Sequence, residues 1–220
     1  MTALDFIESL KIISLDYSGG VPKREIFSLA KEFQEAPISE VVTLLKDTNY
    51  DHRLGAVSIL DWKARSKKTT LEEKEEIYLA YIQNHRWIDD WGMVDRAAPY
   101  VVGGYLFNKD KKVLYDLAKS IHPMERRTAI VSTYYFIRKN DIEHTFKIAE
   151  ILANDTDEYV QKAVGSWLRE AGKRDENKLK EFLDRFAHSL PRISLRYAIE
   201  KLDPELRKYY LGLAKQHKSI

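Results

Sequence analysis

The feature that most constrains this chain is a repeat built around alanine. DTNYDHRLGAVSIL (47–60), HPMERRTAIVSTYYF (122–136), NDTDEYVQKAVGSWL (154–168) and HSLPRISLRYAIEKL (188–202) each open on polar residues or proline, pass through one or more basic residues to an alanine, and end in an apolar stretch. The alanines are Ala56, Ala129, Ala163 and Ala198; the last three stand 34 and 35 residues apart. The 73 residues from Ala56 to Ala129 leave room for one more unit, and DDWGMVDRAAPYVVG (89–103) fills it with Ala97 or Ala98 in the alanine position. A period of this length marks stacked supersecondary units, none of which buries its apolar face alone. The small residue lets neighbouring helices approach closely. The basic residue one to three positions before it is then expected on an inner face.

The local pattern between these units is helical. In TFKIAEILAND (145–155), Phe146, Ile148, Ala149 and Leu152 share one apolar arc. IVSTYYFI (130–137) is rich in strand-forming residues, but helical patterns flank it, and it reads as buried helix. Residues 2–15 and 22–35 form a first helix pair around the loop DYSGGVP, with Pro22 in the first turn of the second helix. The expected fold is all-α: a HEAT-like helical-repeat solenoid, an α–α superhelix with a basic concave groove, forming one domain over residues 1–220. An irregular helical bundle is the alternative.

Composition excludes several chemistries. Without cysteine there are no disulfides, thiolate metal sites or cysteine nucleophiles. The N-terminal MTALDFIESLKIISL lacks the basic start and cleavage site of a signal peptide, and no apolar run reaches membrane-spanning length. A cytoplasmic protein is expected, with no membrane partner. P-loop, dinucleotide-binding and HExxH patterns are absent, and the histidines show no ligand spacing. The net charge of +2 is uninformative, but basic clusters recur along the chain, and a nearly neutral protein can still carry one basic face. A mixed, solvated surface is the competing explanation.

The stretch 89–103 carries the most pointed chemistry. Trp91 and Asp95 are four residues apart and project from one side of a helix, one turn apart. Pro99 calls for a kink or a lost helical hydrogen bond. Asp89 and Asp90 have the position of helix caps. A carboxylate beside an aromatic ring on a basic surface suits cleavage of a glycosidic bond to a cationic base. The ring accepts the cation, the carboxylate stabilises an oxocarbenium-like sugar, and basic residues hold phosphates. No cofactor or metal is needed. The plainer reading pairs Asp95 with Arg126 or Arg127 and places Trp91 in the core.

Taken together, YSGGVPKREIFSLAK (17–31), WGMVDRAAPYVVGGYL (91–106), RRTAIV (126–131), YVQKAVGSWLREAGKRD (159–175) and LRYAIEKL (195–202) resemble the AlkD-like DNA alkylation repair enzymes, a family of HEAT-like DNA glycosylases. The resemblance implies a monomer that binds duplex DNA containing alkylated bases and releases cationic N3- or N7-alkylated purines. It places the catalytic aspartate on Asp95, a groove aromatic on Trp91 and a groove arginine on Arg127. DNA contacts are expected from Arg126, Lys63, Arg65, Lys67, Lys162, Arg192, Arg196 and Ser166. One position departs from the family pattern. A tryptophan commonly follows the glycine of the KAVG segment, whereas Ser166 stands here and Trp167 comes next. One residue turns a helical side chain by about 100°, so Trp167 is not a direct replacement. The alternatives are a weakly catalytic or non-catalytic DNA-binding scaffold of the same fold, and a repeat module for protein partners.

Overall fold

The computed structural model describes the backbone of residues 1–216 and the side chains up to residue 213; the final residues of the expected 1–220 domain lie outside the described residues. Every regular element among the described residues is helical. The chain forms two compact units, residues 1–105 and the residues from Leu106 onward.

The first unit contains α1 (Ala3–Ser14), α2 (Lys23–Glu32), α3 (Ile38–Leu45), α4 (Tyr50–Arg65), α5 (Leu71–Gln83) and α6 (Trp91–Ala98). A π-helical segment, Pro99–Gly103, runs on from α6, and a last short turn, α7 (Gly104–Leu106), reaches the boundary. Helix α4 packs between α2 and α6, while α1, α3 and α5 stack as a second layer. In the second unit, α8 (Lys112–Leu117), α10 (Glu143–Ile151) and α12 (Glu176–Phe186) alternate with α9 (Pro123–Arg138), α11 (Glu158–Gly172) and α13 (Arg192–Ala198), and α14 (Pro204–Gln216) follows. Here α11 packs between α9 and α13. Each unit is therefore a two-layer stack of helix pairs, the arrangement the 34-residue period calls for.

The repeating alanines lie where the helices meet. Ala56, Ala97, Ala98, Ala129, Ala163 and Ala198 are all buried on α4, α6, α9, α11 and α13. Polar starts set the registers. Asn49, Asp90, Asp157 and Asp175 each accept a backbone N–H from the first turn of the helix they precede, satisfying donors that have no partner within the helix. Pro123 opens α9 at a position where its missing N–H costs nothing. Gly165 serves close packing: a Cβ there would lie 2.4 Å from the Ser194 carbonyl oxygen, so α11 and α13 meet backbone to backbone.

A polar ladder joins successive repeats. Three residues before Ala56, Arg53 donates through one terminal nitrogen to the carbonyls of Asp47 and Thr48, at 3.0 and 2.8 Å, and through the other to the Asp89 carboxylate at 3.0 Å. Three residues before Ala129, Arg126 repeats the device. It donates to the carbonyls of Ser120 and Ile121, at 3.0 and 3.1 Å, and forms a two-pronged pair with Asp155 at 2.6 and 3.0 Å. Tryptophans make a second link: the Trp62 indole donates to the Phe27 carbonyl at 3.2 Å, and the Trp167 indole to the Val131 carbonyl at 2.9 Å.

Candidate functional site

The start of α6 is a built platform. Asp90 caps the helix by accepting the Gly92 N–H at 2.7 Å, and the same carboxylate oxygen accepts the Tyr50 hydroxyl at 3.0 Å. Burial and the neighbouring Asp90 carboxylate push the Tyr50 phenol well above its ordinary value, so it stays a hydrogen-bond donor. Trp91, the first helical residue, is 40% exposed, unusually open for an indole. The Lys23 ammonium, at the start of α2, lies 5.3 Å from the centroid of Trp91 and 5.8 Å from that of Tyr50. Gly92 makes this cluster possible: a Cβ there would sit 2.9 Å from Asp90 Oδ1 and 3.1 Å from Lys23 Nζ.

One turn further along α6, Asp95 is half-buried. The next residue, Arg96, points into the first unit. It pairs at 3.1 Å with the fully buried Asp61, which also accepts from Arg65 at 2.7 Å. Burial pushes the Asp61 carboxyl up, against the opposing pull of Arg96 and Arg65. The Arg96 guanidinium lies 4.6 Å from the Phe27 ring centroid and 5.1 Å from that of Trp62. The four-residue spacing thus leaves Trp91 and Asp95 on one side of α6 and sends Arg96 to another. The π segment begins at Pro99 itself, so the proline widens the helix by one register and the helix continues.

The other basic residues of the first unit serve different ends. Lys63 donates to the Gln34 carbonyl at 2.9 Å. Arg65, besides its pair with Asp61, lies 3.7 Å from the centroid of Tyr100. Lys67 is exposed in the loop after α4.

In the second unit, Arg127 is 6% exposed and donates to the Tyr159 carbonyl. Arg126 is held by the ladder. Lys162 pairs with Glu158 at 2.6 Å and lies 5.6 Å from the centroid of Tyr159, which is 43% exposed. Ser166 is half-buried, and the Trp167 ring stands 5.4 Å from Tyr134. Arg192 and Arg196 are exposed on α13. Sequence reasoning missed Lys23, Tyr50 and Tyr159. Lys23 and Trp91 are 68 residues apart and no local pattern joins them, whereas Tyr159 has a visible signal, an aromatic two residues after a capping aspartate.

The family described as "DNA alkylation repair enzyme" matches residues 16–202. The chain belongs to this DNA alkylation repair enzyme family. Its members act in the repair of alkylated DNA, and DNA binding comes with that role. Three solved structures share the fold. One described as "Predicted DNA alkylation repair enzyme from Enterococcus faecalis" is 17% identical with a TM-score of 0.63, covering 84% of this chain and 88% of its own. AlkD2 from Streptococcus mutans is 16% identical with a TM-score of 0.61, covering 90% and 99%. The protein smu.31 from Streptococcus mutans UA159 is 18% identical with a TM-score of 0.60, covering 91% and 99%. No curated protein matches the chain. Among the described residues, no helix of this DNA alkylation repair family protein is long and apolar enough to cross a membrane.

Proposed function

We propose that this protein is a monofunctional DNA glycosylase that releases cationic N3- or N7-alkylated purines from duplex DNA. The observation that carries the reading is the pairing on α6 of an exposed indole with a carboxylate one turn later. That indole already holds a cation, Lys23, against its face, so the site has the electronic character a cationic base requires. An alkylated purine is a good leaving group because it departs as a neutral base. As the C1′–N bond breaks, its electron pair goes to the purine and positive charge grows on the sugar. The Asp95 carboxylate stabilises that charge and orients a water, whose oxygen bonds to C1′ and whose proton is lost. The products are free base and an abasic site.

Asp90, Tyr50 and Gly92 are positioning residues in this reading: they fix the start of α6 and the angle of Trp91. Lys63, Arg65, Lys67, Lys162, Arg192 and Arg196 take phosphates, and Ser166 contacts the strand. Arg127 acts from α9 while holding the Tyr159 carbonyl, and Arg126 orders α9 through the ladder. The protein works as a cytoplasmic monomer, with the 1–220 chain as one DNA-binding domain.

A second reading, a DNA-binding protein with little catalysis, is favoured by one observation: the Trp167 indole is engaged with Val131 and Tyr134, and Ser166 precedes it. The two separate in one assay. Methylated duplex DNA is incubated with the protein, and released bases are identified by chromatography while abasic sites are counted. The glycosylase reading expects N7-methylguanine or N3-methyladenine, with abasic sites in equal number. Salt-dependent DNA binding with neither product would overturn it in favour of the second reading.

A further inference from the structure

Helix α6 is short, and its apolar face gives it little grip on rotation. Met93, Val94, Ala97 and Ala98 are buried there, and two of the four are alanine. Apolar contact is non-directional, so such a face sets the distance of α6 from its neighbours better than its turn about its own axis. The π-helical segment that follows is itself a departure from regular helical geometry. Rotation nevertheless decides the site. Neighbouring side chains on a helix differ by about 100°, and a turn of that size would put Arg96 where Asp95 stands.

Two polar pins from α4 supply the constraint. Just before α6, the Tyr50 hydroxyl donates to Asp90 at 3.0 Å. Near the end of α6, Asp61 faces Arg96 at 3.1 Å. Tyr50 and Asp61 are 11 residues apart on α4, about three turns, so both pins leave the same side of that helix. The second pin is the more elaborate. Arg96 Nε donates to the Ser58 hydroxyl at 3.3 Å, and the rings of Phe27 and Trp62 both lie within cation–π reach of its guanidinium. As a source of stability this pair is poor. Burial pushes the Asp61 carboxyl up and the Arg96 guanidinium down, and Arg96 Nη2 is buried with no hydrogen-bond acceptor among the described residues. Desolvation offsets most of what a buried ion pair returns, and an apolar pair of similar volume is often at least as stable. What a directional pair adds is register.

We propose that Asp61 is a positioning residue for Asp95: by holding Arg96 it fixes the rotation of α6, and with it the aim of the neighbouring carboxylate. The inference rests on the reaction proposed above, in which Asp95 acts, and gives Asp61 and Arg96 no contact with DNA. A rotation of α6 that turns Asp95 away also draws Arg96 off Phe27 and Trp62 and breaks its contact with Asp61. The Tyr50–Asp90 pin holds the Trp91 end of α6, and the Asp61–Arg96 pin holds the Asp95 end.

The test compares the wild type, Arg96→Met, Arg96→Lys and the apolar pair Asp61→Leu/Arg96→Met, each checked by circular dichroism at the assay temperature. The apolar pair removes both charges together, so its melting temperature should match or exceed that of the wild type. Its single-turnover rate of N7-methylguanine release at saturating protein should nevertheless fall by roughly 10- to 100-fold, the scale for a catalytic group displaced by about 1 Å. Arg96→Met leaves Asp61 paired with Arg65 and should show a similar loss, whereas Arg96→Lys keeps the charge opposite Asp61 and should lose less. In an Asp95→Asn background the apolar pair should cost little further rate, because the carboxylate it misaims is already gone; a merely structural role would slow both backgrounds alike. Release by the apolar pair at the wild-type rate, or an equal loss in both backgrounds, would overturn the inference. NMR of the free protein reads the same geometry without base release. The Asp95 carboxyl resonance should shift in the apolar pair, and an unchanged resonance would also overturn the inference. A wild type that releases no base would defeat the glycosylase reading, and the NMR shift would still decide whether Asp61 sets Asp95.

Discussion

The two units each place an exposed aromatic just after a capping aspartate. In the first, Asp90 caps α6, Trp91 follows it, and Lys23 lies 5.3 Å from the ring. In the second, Asp157 caps α11, Tyr159 follows two residues later, and Lys162 lies 5.6 Å from the ring. Four residues beyond the aromatic the units part: Trp91 leads to the half-buried carboxylate of Asp95, and Tyr159 to the buried methyl of Ala163. An aromatic beside a cation suits nucleic acid in either place. Only the first platform carries a carboxylate one turn beyond its aromatic; the carboxylate beside Tyr159, Glu158, is paired with Lys162 at 2.6 Å. On the proposed reading, this difference gives chemistry to the first unit and holding to the second.

The ladder contrasts the units differently, and there the largest effect is expected. Both side chains of the Arg126–Asp155 pair are nearly buried, whereas Asp89 opposite Arg53 is 59% exposed. Removing one partner of a buried pair leaves an uncompensated charge. Arg126→Ala should therefore lower stability by roughly 3–5 kcal/mol, against roughly 0–1 kcal/mol for Asp89→Ala. Urea unfolding of the two variants checks this, and equal losses would remove the distinction.

Next in size is the contrast between the aromatics. Trp91→Ala should slow base release by roughly 10- to 100-fold, the scale of about 1–3 kcal/mol for a lost stacking contact. Tyr159→Ala should weaken binding of undamaged duplex and leave release at saturating protein unchanged. Rates and affinities measured on both variants decide whether the roles divide as described. A smaller effect is expected at Lys23, an exposed cation worth about 0.5–1 kcal/mol on an aromatic face. Lys23→Gln should change the ratio of affinities for methylated and undamaged duplex by a few-fold, because a cationic base meets Trp91 without a competitor. An unchanged ratio would make Lys23 a phosphate contact only.

The smallest effect is a pH dependence confined to the second unit. Burial holds the His144 imidazole below its ordinary value of 6.5, and its Nδ1 lies 2.7 Å from the Tyr115 hydroxyl. The unfolded chain therefore takes up a proton before the folded one does. The stability this group provides is present above about pH 6.5 and is lost as the pH falls through that value toward the folded pKa. Melting at pH 5.5 and 7.5 should show the loss, and His144→Gln should flatten it.

Much of the fold was legible because the signals that fix it are local. The alanine spacing marked helices that meet closely, and capping residues marked their starts. The Val, Ile and Tyr run of α9 read as helix because of its flanks. Asp89 and Asp90 proved to be a ladder partner and a cap. Of the candidate site, only the arrangement along α6 was legible, where spacing alone separates Trp91 and Asp95 from Arg96. Contacts between repeats were not. Sequence cannot distinguish a guanidinium spent on carbonyls, as Arg53 and Arg126 are, from one offered to phosphate, as Arg196 is proposed to be. Nor does it reveal that Arg65 lies over Tyr100, or that Lys23 comes to Trp91 across 68 residues.

The central claim is that the Asp95 carboxylate drives bond cleavage from the first unit. The direct measurement is the single-turnover rate of N7-methylguanine release from a defined duplex, with wild type and Asp95→Asn both saturating the DNA. The amide keeps the shape and removes the charge. The account predicts a fall of at least about 100-fold, the scale of losing one electrostatic stabiliser of a transition state, with duplex affinity unchanged. Release by Asp95→Asn at the wild-type rate would contradict it.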